Sequence, residues 1–440
     1  MIRQELLFYN QKRKEVPMKP ANNEQWLDYK WQLANSVRTT AQIRGFFPAI
    51  SQETLKVIEQ YEKQYRFQLT PYLLDCLDLD AEAFSQNKLA GLFFPSPENL
   101  LAEGAAAYSP DLMNWEMPEE LVVEGSTAFQ WKYSDRLLYR ATGCMSICSY
   151  CFEAHRVIDK HTPKHPRKTD WELGMDFLKA HPKIREFVFS GGDPLLIPDE
   201  ILEKRLADLR SIPHIETIRF NSAVLMHCPM RITDELVRIL KRYEVTELGV
   251  HIVHPRQITP EFSDAIRKFD ECGYGSLIKL AQIPLLRGVN DSTEVLQELL
   301  CKLEQHRVKG YYLLHGLPWT LGAVRFRTSV YKGVELLKPL YRTMSHVAWP
   351  EYVIVARGGK ATVPLERNNF WLTREAVDKQ VWAIDGTHQP LESFAIERDD
   401  KLLKFNGTPE FIYTSYQEKP VVVFLNWKGE WEMYLDSSGA

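Results

Sequence analysis

The chain lacks an excess of charge of either sign: 54 basic against 58 acidic side chains leave a formal net charge of -4 and a pI near 6.3. That balance excludes a general electrostatic attraction to nucleic acid or to an anionic membrane surface. The opening residues, MIRQELLFYNQKRKEV, contain no apolar core segment and no small-residue cleavage site, so no secretory signal is predicted. Nowhere does an apolar run approach the roughly 18 residues that a spanning helix needs, and no internal repeat or low-complexity block stands out. A cytoplasmic protein outside the membrane is the expectation. Seven cysteines, an odd number, argue against a disulfide framework in such a chain.

What is present suits a folded enzyme. The 440 residues are 45% hydrophobic, enough for one large core or two ordinary domains. Residues 22–65 read as helices carried by Trp26, Tyr29, Trp31 and Leu33, then by Leu55, Val57, Ile58 and Tyr61. A looser stretch with Pro95, Pro97, Gly104 and Pro110 follows. From about residue 136, short apolar runs alternate with helical patterns. Strands are predicted at Leu137–Thr142, Glu186–Ser190, Ile215–Asn221, Thr246–Val253, Ser276–Ile283, Val308–Leu314 and Tyr352–Ala356. The helical patterns fall near 170–180, 199–210, 232–242, 260–272, 291–306 and 330–343. Such alternation predicts βαβ units, a parallel sheet and a full or partial barrel with its chemistry at the C-terminal strand ends. After about residue 370 the pattern changes to short strands at Phe411–Thr414, Val421–Leu425 and Trp431–Tyr434.

Cys144, Cys148 and Cys151 form C-x3-C-x2-C just after the first of these strands. A loop there can turn three thiolates toward one point. Iron–sulfur clusters are usually held by four cysteines, so three leave one iron of a [4Fe–4S] cluster open to a substrate or cofactor. A zinc site completed by His155 or His161 is the rival. Cys76, Cys228, Cys272 and Cys301 read as buried small hydrophobes. Ser190-Gly-Gly-Asp-Pro-Leu195 follows the second strand and would alone be an ordinary turn, although glycines also let backbone approach a ligand closely. Arg357-Gly-Gly-Lys360 follows the last strand. Its plain reading is a solvated turn, and its chemical reading is the Schiff-base lysine of a pyridoxal 5′-phosphate (PLP) enzyme.

Together the cysteine spacing, Tyr150 beside the last cysteine and the Gly-Gly-Asp-Pro segment resemble a radical S-adenosylmethionine (SAM) enzyme. Further segments, in order and at similar spacing from about Trp26 to Pro364, resemble the lysine 2,3-aminomutase family. They include Tyr29-Lys-Trp-Gln32, Tyr133-Ser-Asp-Arg136, Arg231-Ile-Thr233, Leu285-Leu-Arg-Gly-Val-Asn-Asp291, Phe326-Arg-Thr328 and Gly358-Gly-Lys360. The fold expected is α/β: a partial (β/α)6-type radical SAM barrel over 131–368, with an N-terminal helical extension over 1–130 and a β-rich C-terminal subdomain over 369–440. The resemblance implies a [4Fe–4S] cluster on Cys144, Cys148 and Cys151. It implies SAM beside Tyr150, Gly191, Gly192, Asp193, Ser222, His251 and Gln282, and PLP on Lys360, with Lys132 and Arg136 at its phosphate, where cations suit a dianion. His254 and Arg219 are further strand-end candidates. One electron from the cluster would cleave SAM to methionine and a 5′-deoxyadenosyl radical. That radical would take a hydrogen from the substrate carbon next to the one bearing nitrogen, and the nitrogen would migrate while bonded to PLP. A flavodoxin- or ferredoxin-like reductant, a small amine or amino-acid substrate and a homo-oligomer are the implied partners.

The sequence departs from that family at the substrate. Where the lysine enzymes carry an arginine for the substrate carboxylate, two residues after the third cysteine, stands Glu153. A carboxylate there repels an α-carboxylate, and Arg140 or Arg156 would have to compensate. Asp291 matches the first of two acids that meet the distant ammonium, or it is simply the N-cap of its helix. The second acid should fall near Leu317 or Pro318, where there is none. Losing one desolvated counter-charge costs on the order of 1–3 kcal/mol. The tail holds no cysteine for the zinc cluster of some family members. The expectation is therefore 1,2-amino migration on an amine or amino acid other than free L-lysine. A divergent L-lysine 2,3-aminomutase and a radical SAM enzyme without PLP are the alternatives.

Overall fold

The computed structural model describes residues 23–47, 50–77, 88–94, 123–153, 157, 168–316, 320, 322–328, 330–356, 359–363 and 365, with the backbone of six short strands from 381 to 435 grouped below. Its centre is one nine-stranded sheet in which neighbours in sequence are neighbours in space. Seven strands are parallel: β2 (Arg136–Ala141), β3 (Glu186–Gly191), β4 (Thr217–Ser222), β5 (Glu247–His251), β6 (Ile278–Leu285), β7 (Lys309–His315) and β8 (Glu351–Ala356). They match the seven expected strands to within a residue or two. Two flanking strands were not foreseen. β1 (Phe129–Tyr133) precedes β2 antiparallel, and β9 (Gly359–Thr362) returns antiparallel along β8. Neither reads as a strand alone: Phe129–Tyr133 is short, and Gly359–Thr362 contains a glycine. Among the described residues β1 and β9 do not pair, so the barrel is partial. The boundary expected after residue 130 falls inside β1.

Helices Lys168–Ala180, Asp199–Arg210, Asp234–Arg242, Pro260–Glu271, Thr293–Gln305 and Val330–Thr343 connect the strands. Thr233, Thr259 and Ser292 cap three of them by accepting from backbone N–H groups in the first turn. In Asp234–Arg242 the buried side chains are Leu236, Val237, Ile239 and Leu240, the one-sided spacing of a helix laid on a sheet. They join Phe187, Phe189, Phe220, Leu248 and Ile283 in the main core between helices and sheet. Beyond the barrel, strands at 381–382, 394–398 and 401–405 form one antiparallel sheet, and Thr408–Thr414, Pro420–Leu425 and Trp431–Leu435 form another. The three tail strands expected from the sequence are those of the second sheet.

A second core lies over the barrel mouth. Ile43, Ile58, Leu69, Leu73 and Phe93 of the N-terminal helices pack with Ile147, Met226, Val253 and Phe326 of the loops that follow the strands. The extension is thus a roof over the cysteine loop. Ile147 N donates to Gln68 O (2.9 Å), Ser149 N to Leu92 O (2.7 Å), and the Gln68 amide to the carbonyls of Cys144 (3.1 Å) and Met145 (2.8 Å).

One buried cation joins roof and barrel. Arg231, only 1% exposed, donates to Leu195 O (2.6 Å) and Asp199 Oδ1 (2.5 Å), and its guanidinium lies 4.9 Å from the Tyr29 ring centroid. Replacing it leaves a carbonyl and a carboxylate without their donor, the costly way to break a buried pair. Arg231→Met should lower unfolding free energy by about 3 kcal/mol, read from denaturant midpoints at unchanged m-value.

Candidate active site

Alternation along a strand decides which side chains face inward. Arg136, Leu138 and Arg140 share one face of β2. The register carries that face across Glu186, Val188 and Ser190 of β3, Arg219 and Asn221 of β4, and Glu247, Gly249 and His251 of β5. It continues over Gln282 and Pro284 of β6 to Tyr312 and Leu314 of β7. At the C-terminal half of these strands the face lines a cavity of about 280 Å³, closed above by the cysteine loop.

Two hydrogen bonds bring the cysteine loop against the Gly-Gly turn. Gly192 N donates to Ala141 O and Asp193 N to Gly143 O, both at 2.6 Å. Gly191 has φ +89°, and a Cβ on it would meet Ala141 O at 2.5 Å; a Cβ on Gly192 would meet Gly143 O at the same distance. The glycines are thus required first by the loop next door. With two N–H groups of the turn engaged, Gly191 and Gly192 have carbonyl oxygens, not N–H groups, to offer an amino group.

Asp193, 3% exposed, anchors the same turn. Oδ1 accepts from Ser222 Oγ (2.8 Å) and Leu195 N (3.1 Å), and Oδ2 from Ala223 N (2.9 Å). Ser222 is turned to Asp193 and does not line the cavity, so the pair expected at SAM acts on the scaffold. Gln282 lines the cavity while its amide donates to Asn221 Oδ1 (2.8 Å) above Gly249. His251 also lines it, with Nε2 buried and without a hydrogen-bond partner; burial, then the charge of Lys360, lowers its pKa to about 4.

The three thiols line one wall of the cavity. Burial pushes the Cys148 thiol up to about 12 and raises Cys144 and Cys151 as well, each also raised by neighbouring thiols or carboxylates. Only a cation bound there would make all three thiolates. Among the described residues no three His, Cys, Asp or Glu side chains converge on a single ion position. A cluster takes each thiolate on a different iron and permits that spread, whereas zinc draws every ligand to about 2.0–2.3 Å of one point. His155 and His161 lie outside the described residues, as does Arg156. Of the remaining cysteines only Cys228 is buried; Cys76, Cys272 and Cys301 are half-buried.

Other expected residues are placed as follows. Lys360, half-buried on β9, lines the cavity with Nζ 4.5 Å from the Tyr312 ring centroid. The Lys132 side chain lies outside the described residues. Arg136 sits at the N-terminal end of β2, below the cavity and not lining it. Its guanidinium is shared between Asp135 (2.9 Å) and Glu186 (3.4 Å) and faces the ring of Tyr133, which does line it. Arg219 is not at the mouth: near the start of β4 it bridges Glu186 (2.5 Å) and Glu247 (2.7 Å), because the register aligns these charges across adjacent strands. His254 caps the turn Pro255–Gln257 through Nδ1. Asp291 is not the N-cap of its helix. Ser292 is, and Asp291 Oδ1 accepts from Gly288 N (2.7 Å), closing a turn away from the cavity lining. Glu153 is buried on the cavity wall, its Oε2 4.0 Å from Arg140 NH1.

Lining residues that escaped sequence reasoning include Asn221, His227, His315 and Arg327. His315 ends β7, with Nδ1 3.1 Å from the Tyr352 hydroxyl and Nε2 buried without a partner. Arg327 belongs to the quoted Phe326-Arg-Thr328 segment, the one signal that pointed near it.

The model described as the Radical SAM superfamily matches residues 138–300. The L-lysine 2,3-aminomutase of Methanococcus maripaludis is 34% identical over 357 residues, 79% of this chain and 77% of that protein. That of Clostridium subterminale is 33% identical over 352 residues, 80% of each. The chain belongs to the lysine 2,3-aminomutase family. As a member it is a radical SAM isomerase that moves an amino group on a small amino-acid-like substrate, with a [4Fe–4S] cluster, SAM and PLP as cofactors. A glutamate 2,3-aminomutase of Clostridioides difficile is 28% identical over 357 residues, 80% of each chain. Among the described residues no helix is long and apolar enough to cross a membrane.

The Asp193 anchor is testable. Burial raises its acid from 3.8 to about 6. The folded apoprotein then holds this proton more tightly than the unfolded chain, so stability falls as pH rises from about 4 to about 6. Asp193→Asn should abolish that slope in thermal unfolding and weaken SAM binding to reconstituted protein at least about tenfold, since an NH2 must now face a backbone N–H or the Ser222 hydroxyl. Equilibrium dialysis with labelled SAM measures the second effect.

Proposed function

We propose that this aminomutase acts on an amine or amino acid other than free L-lysine, by 1,2-amino migration at the described cavity. The observation that carries the reading is electrostatic. Two carboxylates line the cavity among the described residues: Glu153 faces Arg140, and Asp193 accepts three hydrogen bonds from its own scaffold. Leu317, Pro318 and Trp319, after β7, add no acid in the sequence. A distant ammonium therefore meets no available counter-charge on this wall, and leaving such a group desolvated is expensive. Relatives named for lysine and for glutamate show that family members differ in the charge of the substrate side chain they accept.

In this reading Cys144, Cys148 and Cys151 hold the cluster and Lys360 holds PLP, whose ring stabilises an unpaired electron beside the migrating nitrogen when bound. The chain's own work is placement. Tyr150, His251, Gln282 and the Gly191–Gly192 carbonyls face the space where SAM belongs. The roof of N-terminal helices and the narrow inner face exclude water, which a radical step requires. Tyr312 under Lys360 Nζ keeps the amine against an apolar ring face. Lys132 and Arg136 remain the candidates for the PLP phosphate, the latter only by giving up part of its hold on Asp135 and Glu186. We further infer a flavodoxin- or ferredoxin-like reductant, a homo-oligomer and a cytoplasmic setting, supported by the electron demand of the cluster, the family and the balanced charge.

Anaerobic reconstitution with iron, sulfide and PLP, followed by incubation with SAM labelled at the 5′ position and a panel of amines, tests the proposal. Label should reach a non-lysine substrate fastest. Conversion of L-lysine to β-lysine at a rate rivalling every other amine would sink it. Lys360→Ala should lose the borohydride-reducible adduct and at least 10³-fold of turnover, on the order of 4 kcal/mol, while retaining iron.

A further inference from the structure

His227 ends the short helical turn Val224–His227 that follows β4, and its place is set from four sides. The turn begins at Ala223, whose N–H is held by Asp193. The His227 carbonyl accepts from the Thr70 hydroxyl of the roof (2.5 Å), and the imidazole meets the Phe93 ring edge-on, with centroids 5.7 Å apart. The side chain is 2% exposed and lines the cavity. Its Nε2 lies 3.4 Å from Sγ of Cys148, and its Nδ1 is buried with no hydrogen-bond partner. Among the described residues neither roof nor barrel makes any other use of this ring's nitrogens.

A thiol can donate or accept, but an iron-bound thiolate only accepts. The proton of a neutral imidazole facing it must therefore sit on Nε2, and the unpartnered Nδ1 is the bare acceptor that this tautomer leaves. We propose that His227 is a positioning residue of the cluster: its Nε2–H donates to Sγ of Cys148 and raises the potential at which the cluster accepts an electron. The direction follows from charge. The added electron makes the sulfurs more negative, so the hydrogen bond strengthens on reduction, and a water-poor surrounding strengthens it further. No bond is made or broken in this step; one electron arrives from an external one-electron donor. The proposal rests on the reading that Cys144, Cys148 and Cys151 hold the cluster.

The test is anaerobic redox titration of reconstituted wild type, His227→Leu and His227→Gln, monitored by the reduced-cluster electron paramagnetic resonance signal. With iron and sulfide content matched, His227→Leu should show about a tenfold smaller reduced-to-oxidised ratio at a fixed potential, about 59 mV for a one-electron couple. His227→Gln, which keeps an N–H, should recover part of that shift. An unchanged potential in His227→Leu overturns the proposal. Should His227→Leu fail to keep its cluster, wild type labelled with 15N-histidine decides. A weak nitrogen coupling to the reduced cluster, lost in His227→Gln, is the expected result. No coupling, or coupling as strong as that of a ligated nitrogen, overturns the hydrogen bond. A wild type that takes up no iron or sulfide is a different failure, recognised by analysis before any titration, and removes the cysteine reading along with this one.

Discussion

The close approach of two strand ends governs this molecule. Where β2 and β3 finish, Ala141 and Gly143 carbonyls accept from Gly192 and Asp193 at 2.6 Å, a separation that leaves no room for a Cβ on either glycine. The cysteine loop leaves from one side of that seam, and the Asp193 carboxylate fastens the other side to β4. The thiols, the turn bearing His227 and the cavity wall are therefore parts of one hydrogen-bonded unit. Their relative positions are set by backbone geometry.

Around that seam the inner face of the sheet is divided by height. Toward the N-terminal ends of β2 to β5, Arg136, Glu186, Arg219 and Glu247 form a row of alternating charges paired across neighbouring strands. Toward the C-terminal ends the polar groups are mostly neutral, and burial keeps His227 and His251 unprotonated, with pKa values drawn down to about 3 and about 4. Mutually paired charges fill the N-terminal end of the inner face, and neutral side chains together with Arg140, Glu153, Arg327 and Lys360 line the cavity at the other.

The barrel strands were legible because period and composition suffice for buried parallel strands between amphipathic helices. β1 and β9 were not, since a short strand at a sheet edge owes its existence to its neighbour. For Asp193, Ser222 and the two glycines, the motif located the residues but not their partners, which lie across the seam and in the next loop. Arg219 and Asp291 read in sequence as strand-end and helix-cap residues; register puts Arg219 in the charge row, and a local turn occupies Asp291 one residue before the Ser292 cap. His227 carried no sequence signal, because its meaning depends on a contact 79 positions away.

By itself, the sequence determined the alternation of strand and helix, the three closely spaced thiols after the first parallel strand, and the lysine beside two glycines after the last. These are local patterns, written in spacing and residue type. Only the tertiary structure decided that the N-terminal helices roof the cysteine loop, that Glu153 faces Arg140 on the cavity wall, and that an imidazole stands against the middle thiol. Such pairings join segments distant in the chain, and only packing brings them within reach of one another.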